Sequence, residues 1–205
     1  MRVMVKRVVM VVALTALGVC CASALFAGKY VTLCFEAEDA QGVTGKVWSV
    51  AKKATDKFHM EVSGKKVLAV PFYEQGEKPP RNEATYTVKV PTAGVYYLWA
   101  RTIWANGCGN SFYIKVQGYD SGDWIIGGDG TYDHVHWICL TDGGNNNDKP
   151  RPLALKQGQV TFTVGSKESA TMLDQFVLTN DRKYTPANAE KPTPDTLVKD
   201  ETKDK

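Results

Sequence analysis

With 205 residues, 43% of them hydrophobic, the chain has material for one globular domain plus terminal segments. Its formal charge of +3 is small and is matched by Arg2, Lys6 and Arg7 at the N-terminus, so no basic stripe with interleaved aromatics marks a nucleic-acid binder. No C-x-x-C spacing occurs, which leaves zinc and thiol–disulfide chemistry without support.

The chain opens on a secretory pattern. Arg2, Lys6 and Arg7 precede the apolar run Val8 to Val19, and Ala22-Ser23-Ala24 matches an A-x-A cleavage site. Residues 1–24 are therefore expected to be a signal peptide, with the mature chain secreted or periplasmic. An uncleaved anchor is the competing reading, because the run approaches spanning length. Val19 before Cys20 is a poor fit to the small residue that a lipidation site needs. Cleavage leaves Cys34, Cys108 and Cys139, an odd number, so at least one thiol is unpaired or shared with a partner. Cys108 with Cys139 is a candidate disulfide.

Leu33-Cys34-Phe35-Glu36-Ala37-Glu38 reads as an opening strand in which Glu36 and Glu38 share a face. A β-rich run from Ala84 to Val90 stops at Pro91, and Pro91-Thr92-Ala93-Gly94 turns into a strand from Val95 to Trp104. Asn106-Gly107-Cys108-Gly109-Asn110 is the next turn, and Ser111 to Val116 alternates cleanly. Two Gly- and Asp-rich loops are expected over 118–133 and 141–151. His134 and His136 flank Val135 in a further strand, and Gln159 to Val164 alternates again. In the last run, Met172 to Leu178, alternation aligns Asp174 with Phe176 and Leu178. Beyond Pro186 almost nothing can be buried, so 187–205 is expected to be a charged, disordered tail. Short alternating strands between turns predict an all-β β-sandwich over 31–186, and no segment has a helical period.

No G-x-S-x-G elbow, H-E-x-x-H helix or phosphate loop is present. His134 and His136 could form a two-histidine metal site, although two exposed histidines on a sandwich face are commoner. The carboxylates Glu36, Glu38 and Asp174 carry more information. A carboxylate aligned with an apolar face is costly unless its charge is compensated. If the first and last strands are neighbours, one calcium ion could bind all three groups. The alternatives are exposure, or neutralisation by Lys or Arg. A glycosidase is disfavoured, since Glu36 and Glu38 are side by side on one strand and do not face each other across a cleft.

Tyr96, Leu98, Trp99 and Phe112 are expected in the core. Trp104, Tyr119, Trp124 and Tyr132 fall at strand ends or in polar, Gly-rich segments. A flat ring there can stack on the C–H face of a sugar, with Asn110 and Arg101 as hydrogen-bonding partners. Equally, such rings can plug the end of a sandwich.

Phe35-Glu36-Ala37-Glu38-Asp39 resembles the opening strand of carbohydrate-binding modules of families 6 and 35, which are galactose-binding-like jelly-roll sandwiches. Ala93-Gly94-Val95-Tyr96-Tyr97-Leu98-Trp99-Ala100-Arg101, Asn110 to Val116, and Leu173 to Thr179 are similar to later strands of the same modules, in order. His136-Trp137 and Arg151-Pro152-Leu153-Ala154-Leu155 resemble variants of the group. The sequence departs at Val135, where relatives often carry Trp, and at Val116-Gln117-Gly118, where many carry V-D-G. The resemblance implies a structural calcium held by Glu36, Glu38 and Asp174. It also implies a sugar site at the loop end, where Trp104 and Asn110 lead, with Trp124 and Tyr132 behind them. The expectation is a secreted, non-catalytic module that binds a glycan or polysaccharide. The alternative is an envelope structural or adhesion domain that has lost sugar binding and engages a protein partner.

Overall fold

The computed structural model describes residues 30–44, 49–50, 62–73, 81–119, 123–142 and 149–198. The signal-like segment, the Asn-rich part of loop 141–151 and the last residues of the tail lie outside them. The strands among the described residues are β1 Thr32–Glu36, β2 Gly42–Val43, β3 Ser49–Val50, β4 Leu68–Ala69, β5 Glu83–Val90, β6 Gly94–Trp104 and β7 Ser111–Val116. They continue as β8 Trp124–Gly127, β9 Val135–Cys139, β10 Leu153–Leu155, β11 Gly158–Gly165 and β12 Thr171–Thr179. Short 3-10 turns occupy Ala37–Asp39 and Ser63–Lys65.

Two antiparallel sheets result, as the alternating strands predict. In the seven-stranded sheet β12 lies between β6 on one side and β1 and β4 on the other. The five-stranded sheet runs β2-β5-β11-β7-β8. In β5 the alternation is complete: Ala84, Tyr86, Val88 and Val90 are buried, while Glu83, Thr85, Thr87 and Lys89 face away from the core. Phe35, Tyr86 and Phe176 meet between the sheets with ring centroids 5.4 to 5.5 Å apart. The Tyr86 hydroxyl donates to the Ala37 carbonyl at 2.6 Å, so the chain's exit from β1 is tied into the core. Among the described residues no helix is long and apolar enough to cross a membrane.

Two predicted facings are corrected. First, β1 ends at Glu36 and a 3-10 turn carries Glu38, so the pair does not alternate along one strand. Second, the register of β12 on β6 shifts between Leu173 and Gln175, leaving Asp174 as an extra residue in a β-bulge. Leu173, Phe176 and Leu178 enter the core, whereas Asp174 and Gln175 both meet partners on the outer face. Asp174 therefore does not share a face with Phe176 and Leu178.

The described part of the expected tail, 187–198, is packed against the sheets. Residues 180–198 form a strap that leaves β12, crosses the outer face of the larger sheet and ends on the smaller one. Trp137 Nε1 donates to the Asn188 carbonyl at 2.9 Å. Thr193 and Cys34 exchange hydrogen bonds, N to carbonyl at 2.9 Å and N to Oγ1 at 3.1 Å, along the free edge of β1. Lys89 N donates to the Thr196 carbonyl and Val198 N to the Thr87 carbonyl, along the stretch of β5 beyond its pairing with β2. Composition misled here because the strap is held mainly by polar backbone groups. Open strand edges offer unpaired N–H and C=O groups, and almost any sequence can satisfy them. Cys34 and Cys139 are buried free thiols and Cys108 is an exposed one, so the Cys108–Cys139 pair is not formed. Burial pushes both Cys34 and Cys139 up to about 12.

Candidate functional site

On the outer face, the bulge aims Asp174 at Arg101, and the two form a buried ion pair. Asp174 Oδ1 also accepts the Ser63 amide at 2.9 Å. Ser63 Oγ donates to Glu36 Oε1 at 2.6 Å, and Gln175 Nε2 donates to the same oxygen at 3.1 Å. Gly64 follows with φ +58, and a Cβ there would lie 2.8 Å from Glu38 Oε1. Only glycine combines that backbone with that clearance. The segment 62–65 thus brings Glu36, Glu38 and Asp174 to one place, although no strand alternation does so.

As placed, no three His, Cys, Asp or Glu side chains among the described residues enclose a metal ion. Arg101 already compensates Asp174. The neighbouring pair nevertheless suits a cation: Glu36 Oε2 and Glu38 Oε2 are buried and accept no hydrogen bond from the described residues. Burial pushes Glu38 up from 4.5 to about 7, and the Glu36 charge adds to the shift. Burial likewise raises Asp174 from 3.8 to about 6, with Arg101 pulling the other way.

These shifts fix a sign. Between about pH 4 and pH 7 the folded chain holds protons that the unfolded chain has released, so these groups make stability fall as pH rises through that window. In a chelator, the melting temperature should increase as pH is lowered from 7 to 5. Glu38→Gln should flatten that slope; an equal slope in the variant would remove Glu38 as its cause.

At one end of the sandwich, the turns 105–110, 128–134 and 166–170 and the segment 71–73 make one continuous rim. Ala170 N donates to the Pro71 carbonyl at 3.1 Å, Asn110 N to Glu168 Oε2 at 2.9 Å, and Gly128 N to the Asn110 carbonyl at 3.0 Å. A side chain on Gly109 would run into the Ser169 carbonyl, and one on Gly107 would lie 3.2 Å from the Tyr132 hydroxyl. Two large rings stand out from this rim, Phe72 at 73% exposed and Tyr132 at 38%. Asn110 lies half-buried between their loops.

Of the predicted sugar contacts, the rim keeps Tyr132 and Asn110. Trp104 is fully buried: it packs against Phe112 and His136, and its Nε1 donates to Asp129 Oδ1 at 3.0 Å. Trp124 is 8% exposed, with the Arg151 guanidinium 4.5 Å above its ring and Tyr119 edge-on at 5.2 Å. Arg101 is buried against Asp174 and is not at the rim. All three side chains are buried in contacts within the protein. The two-histidine reading fares no better, since His136 Nε2 is 2.8 Å from Asp129 Oδ2 while His134 is exposed. Burial alone would raise Asp129, but hydrogen bonds from His136, Thr131 and Trp104 outweigh it and hold the carboxyl below its usual range.

Sequence reasoning missed Phe72, Ser63, Gln175 and Asp129. For Phe72 a signal existed: Pro71-Phe72-Tyr73 is a short aromatic burst ahead of a Gly- and Pro-containing stretch, the setting that singled out Tyr132. Ser63 and Gln175 had none, because their partners are distant in the chain.

No protein-family model and no curated protein matches the chain. Among solved structures it is similar to a family 35 carbohydrate-binding module from Clostridium thermocellum, with 13% identity and a TM-score of 0.48, covering 72% of this chain and 97% of that one. It is also similar to the C-terminal family 6 module of a marine laminarinase from Zobellia galactanivorans, with 12% identity, a TM-score of 0.47 and coverage of 73% and 100%. A family 6 module of a Cellvibrio mixtus lichenase, solved with cellotriose, has 16% identity, a TM-score of 0.44 and coverage of 72% and 95%. At such identities the choice of ligand has to be argued from this chain's own residues. Families 35 and 6 are the two module families that the sequence motifs resemble.

Proposed function

We propose that the chain is a non-catalytic glycan-binding sandwich, exported by its signal-like N-terminus, with the sugar at the rim of Phe72, Tyr132 and Asn110. The observation that carries this reading is the exposure of two large rings on a rim whose other residues are mostly small or polar, with Asn106, Asp133 and His134 exposed beside them. Exposed aromatics of this size bury 150–250 Å² each in other settings, so leaving them in water is costly unless a ligand covers them. A sugar fits such a surface, with C–H groups on the rings and hydroxyls on Asn110. A calcium ion belongs to the same proposal. Glu36 and Glu38 would hold it through their unpartnered oxygens, with Asp174 as the third carboxylate of that wall. The ion would supply only charge compensation between β1 and the segment 62–65.

A glycan array with and without calcium tests the reading. The intact chain should retain at least one polysaccharide, and Phe72→Ala or Tyr132→Ala should each weaken binding by about tenfold, which is about 1.4 kcal/mol. The melting temperature of both variants should stay within a degree or two of wild type, because neither ring is in the core. A wild-type chain that retains no glycan under either condition would overturn the proposal in favour of a purely structural or adhesive domain.

A further inference from the structure

The carboxylate wall and the C-terminal strap face each other across one cleft of about 530 Å³. Glu36, Glu38 and Asp39 line one side, and Thr193, Asp195 and Leu197 line the other. Gln175, fully buried, joins the two sides. Its Nε2 donates to Glu36 Oε1 at 3.1 Å and to the Glu190 carbonyl at 2.8 Å, and its Oε1 accepts the Glu190 amide at 2.9 Å. Cys34 lies beneath: its thiol donates to the same Glu190 carbonyl at 3.9 Å, and its backbone pairs with Thr193. Four acidic residues thus line the cleft, and two of their buried oxygens accept no hydrogen bond from the described residues. The walls carry like charge, Glu36, Glu38 and Asp39 on one side and Asp195 on the other, and a cation between them would offset it.

We infer that cation binding and docking of residues 190–198 are a single equilibrium: a divalent cation in this cleft locks the strap onto β1 and β5, and removing it loosens the strap while the sandwich stays folded. The inference rests on the cation part of the proposed function. Linkage makes it reciprocal, so whatever factor the cation contributes to strap docking, the docked strap returns to cation affinity. A coupling on the order of tenfold is the ordinary size for such an effect.

Cys34 is a built-in reporter, because the strap must lift before a reagent can reach its thiol. The experiment follows alkylation of Cys34 in the intact chain, mapped by mass spectrometry, in calcium chloride and in EGTA. The temperature is one at which the β-sheet circular dichroism is the same in both. Calcium titration by calorimetry runs in parallel. The expected result is Cys34 labelling on the order of tenfold faster in EGTA, an acceleration that Glu38→Gln shows even in calcium. In the full chain, Thr193→Pro, which removes the strap's amide bond to the Cys34 carbonyl, should weaken calcium binding. If calorimetry shows calcium binding but Cys34 labels at one rate in both buffers, the coupling is wrong and the cation reading survives. If no calcium binds at all, the cation reading falls and takes the coupling with it.

Discussion

Replacing Arg101 by alanine is expected to lower the folding free energy by about 3–5 kcal/mol, the usual result of leaving one member of a buried ion pair alone. The Asp174 side chain is fully buried and Arg101 is 10% exposed, so water cannot take over the missing charge. The Ser63 amide remains on Oδ1, but one neutral donor does not replace a guanidinium. Asp174 would respond by keeping its proton to higher pH than the wild-type value of about 6. The variant's deficit should therefore be smaller at pH 5, where the carboxyl is protonated in both proteins, than at pH 8. Denaturant unfolding at the two pH values measures this. Arg101→Met with Asp174→Asn should recover much of the loss, since the bulge then holds no uncompensated charge. A loss below 1 kcal/mol, or one that does not change with pH, would mean that the pair is not what holds the bulge.

Trp104→Ala should cost a further large amount, about 3–5 kcal/mol, through the cavity left by a fully buried indole. Part of the cost falls on Asp129, which loses the Nε1–H donor at 3.0 Å and keeps the Thr131 amide on the same oxygen. Trp104→Phe separates the contributions, because it retains most of the packing against Phe112 and removes only the donor. That variant should lose about 1–3 kcal/mol. Chemical unfolding paired with a glycan-binding assay distinguishes this role from sugar stacking. A Trp104→Ala chain that keeps its melting temperature and loses a glycan would return the ring to the rim.

Where the sequence was readable, period and punctuation were the reason. Ser111 to Val116, Gln159 to Val164 and Ala84 to Val90 alternate between a core face and a polar face, and each is a strand where expected. The unreadable parts share a different cause. The bulge at Asp174 is a property of two strands in register, so alternation counted along one of them gives the wrong face. For Trp104, a position at a strand end allows both sugar stacking and plugging of the sandwich end, and does not choose between them. In the structure β9 lies beside β6, and His136 and Asp129 close over the indole, a burial supplied by residues far along the chain. The strap was discounted for lack of apolar residues, although its anchors are backbone groups that composition does not report. Phe72, by contrast, was within reach of the argument applied to Tyr132.

The strap also determines when this protein can finish folding. The Thr32 and Thr179 hydroxyls bond across a separation of 147 residues, and beyond them Cys34 pairs with Thr193. The first strand therefore cannot be completed on both edges until nearly the whole chain has been synthesised. Pairings this distant in sequence are slow to form, because loop closure precedes any compensating contact. A chain so arranged stays open while its N-terminus emerges, and the larger sheet closes only once its last strand and the strap have been made.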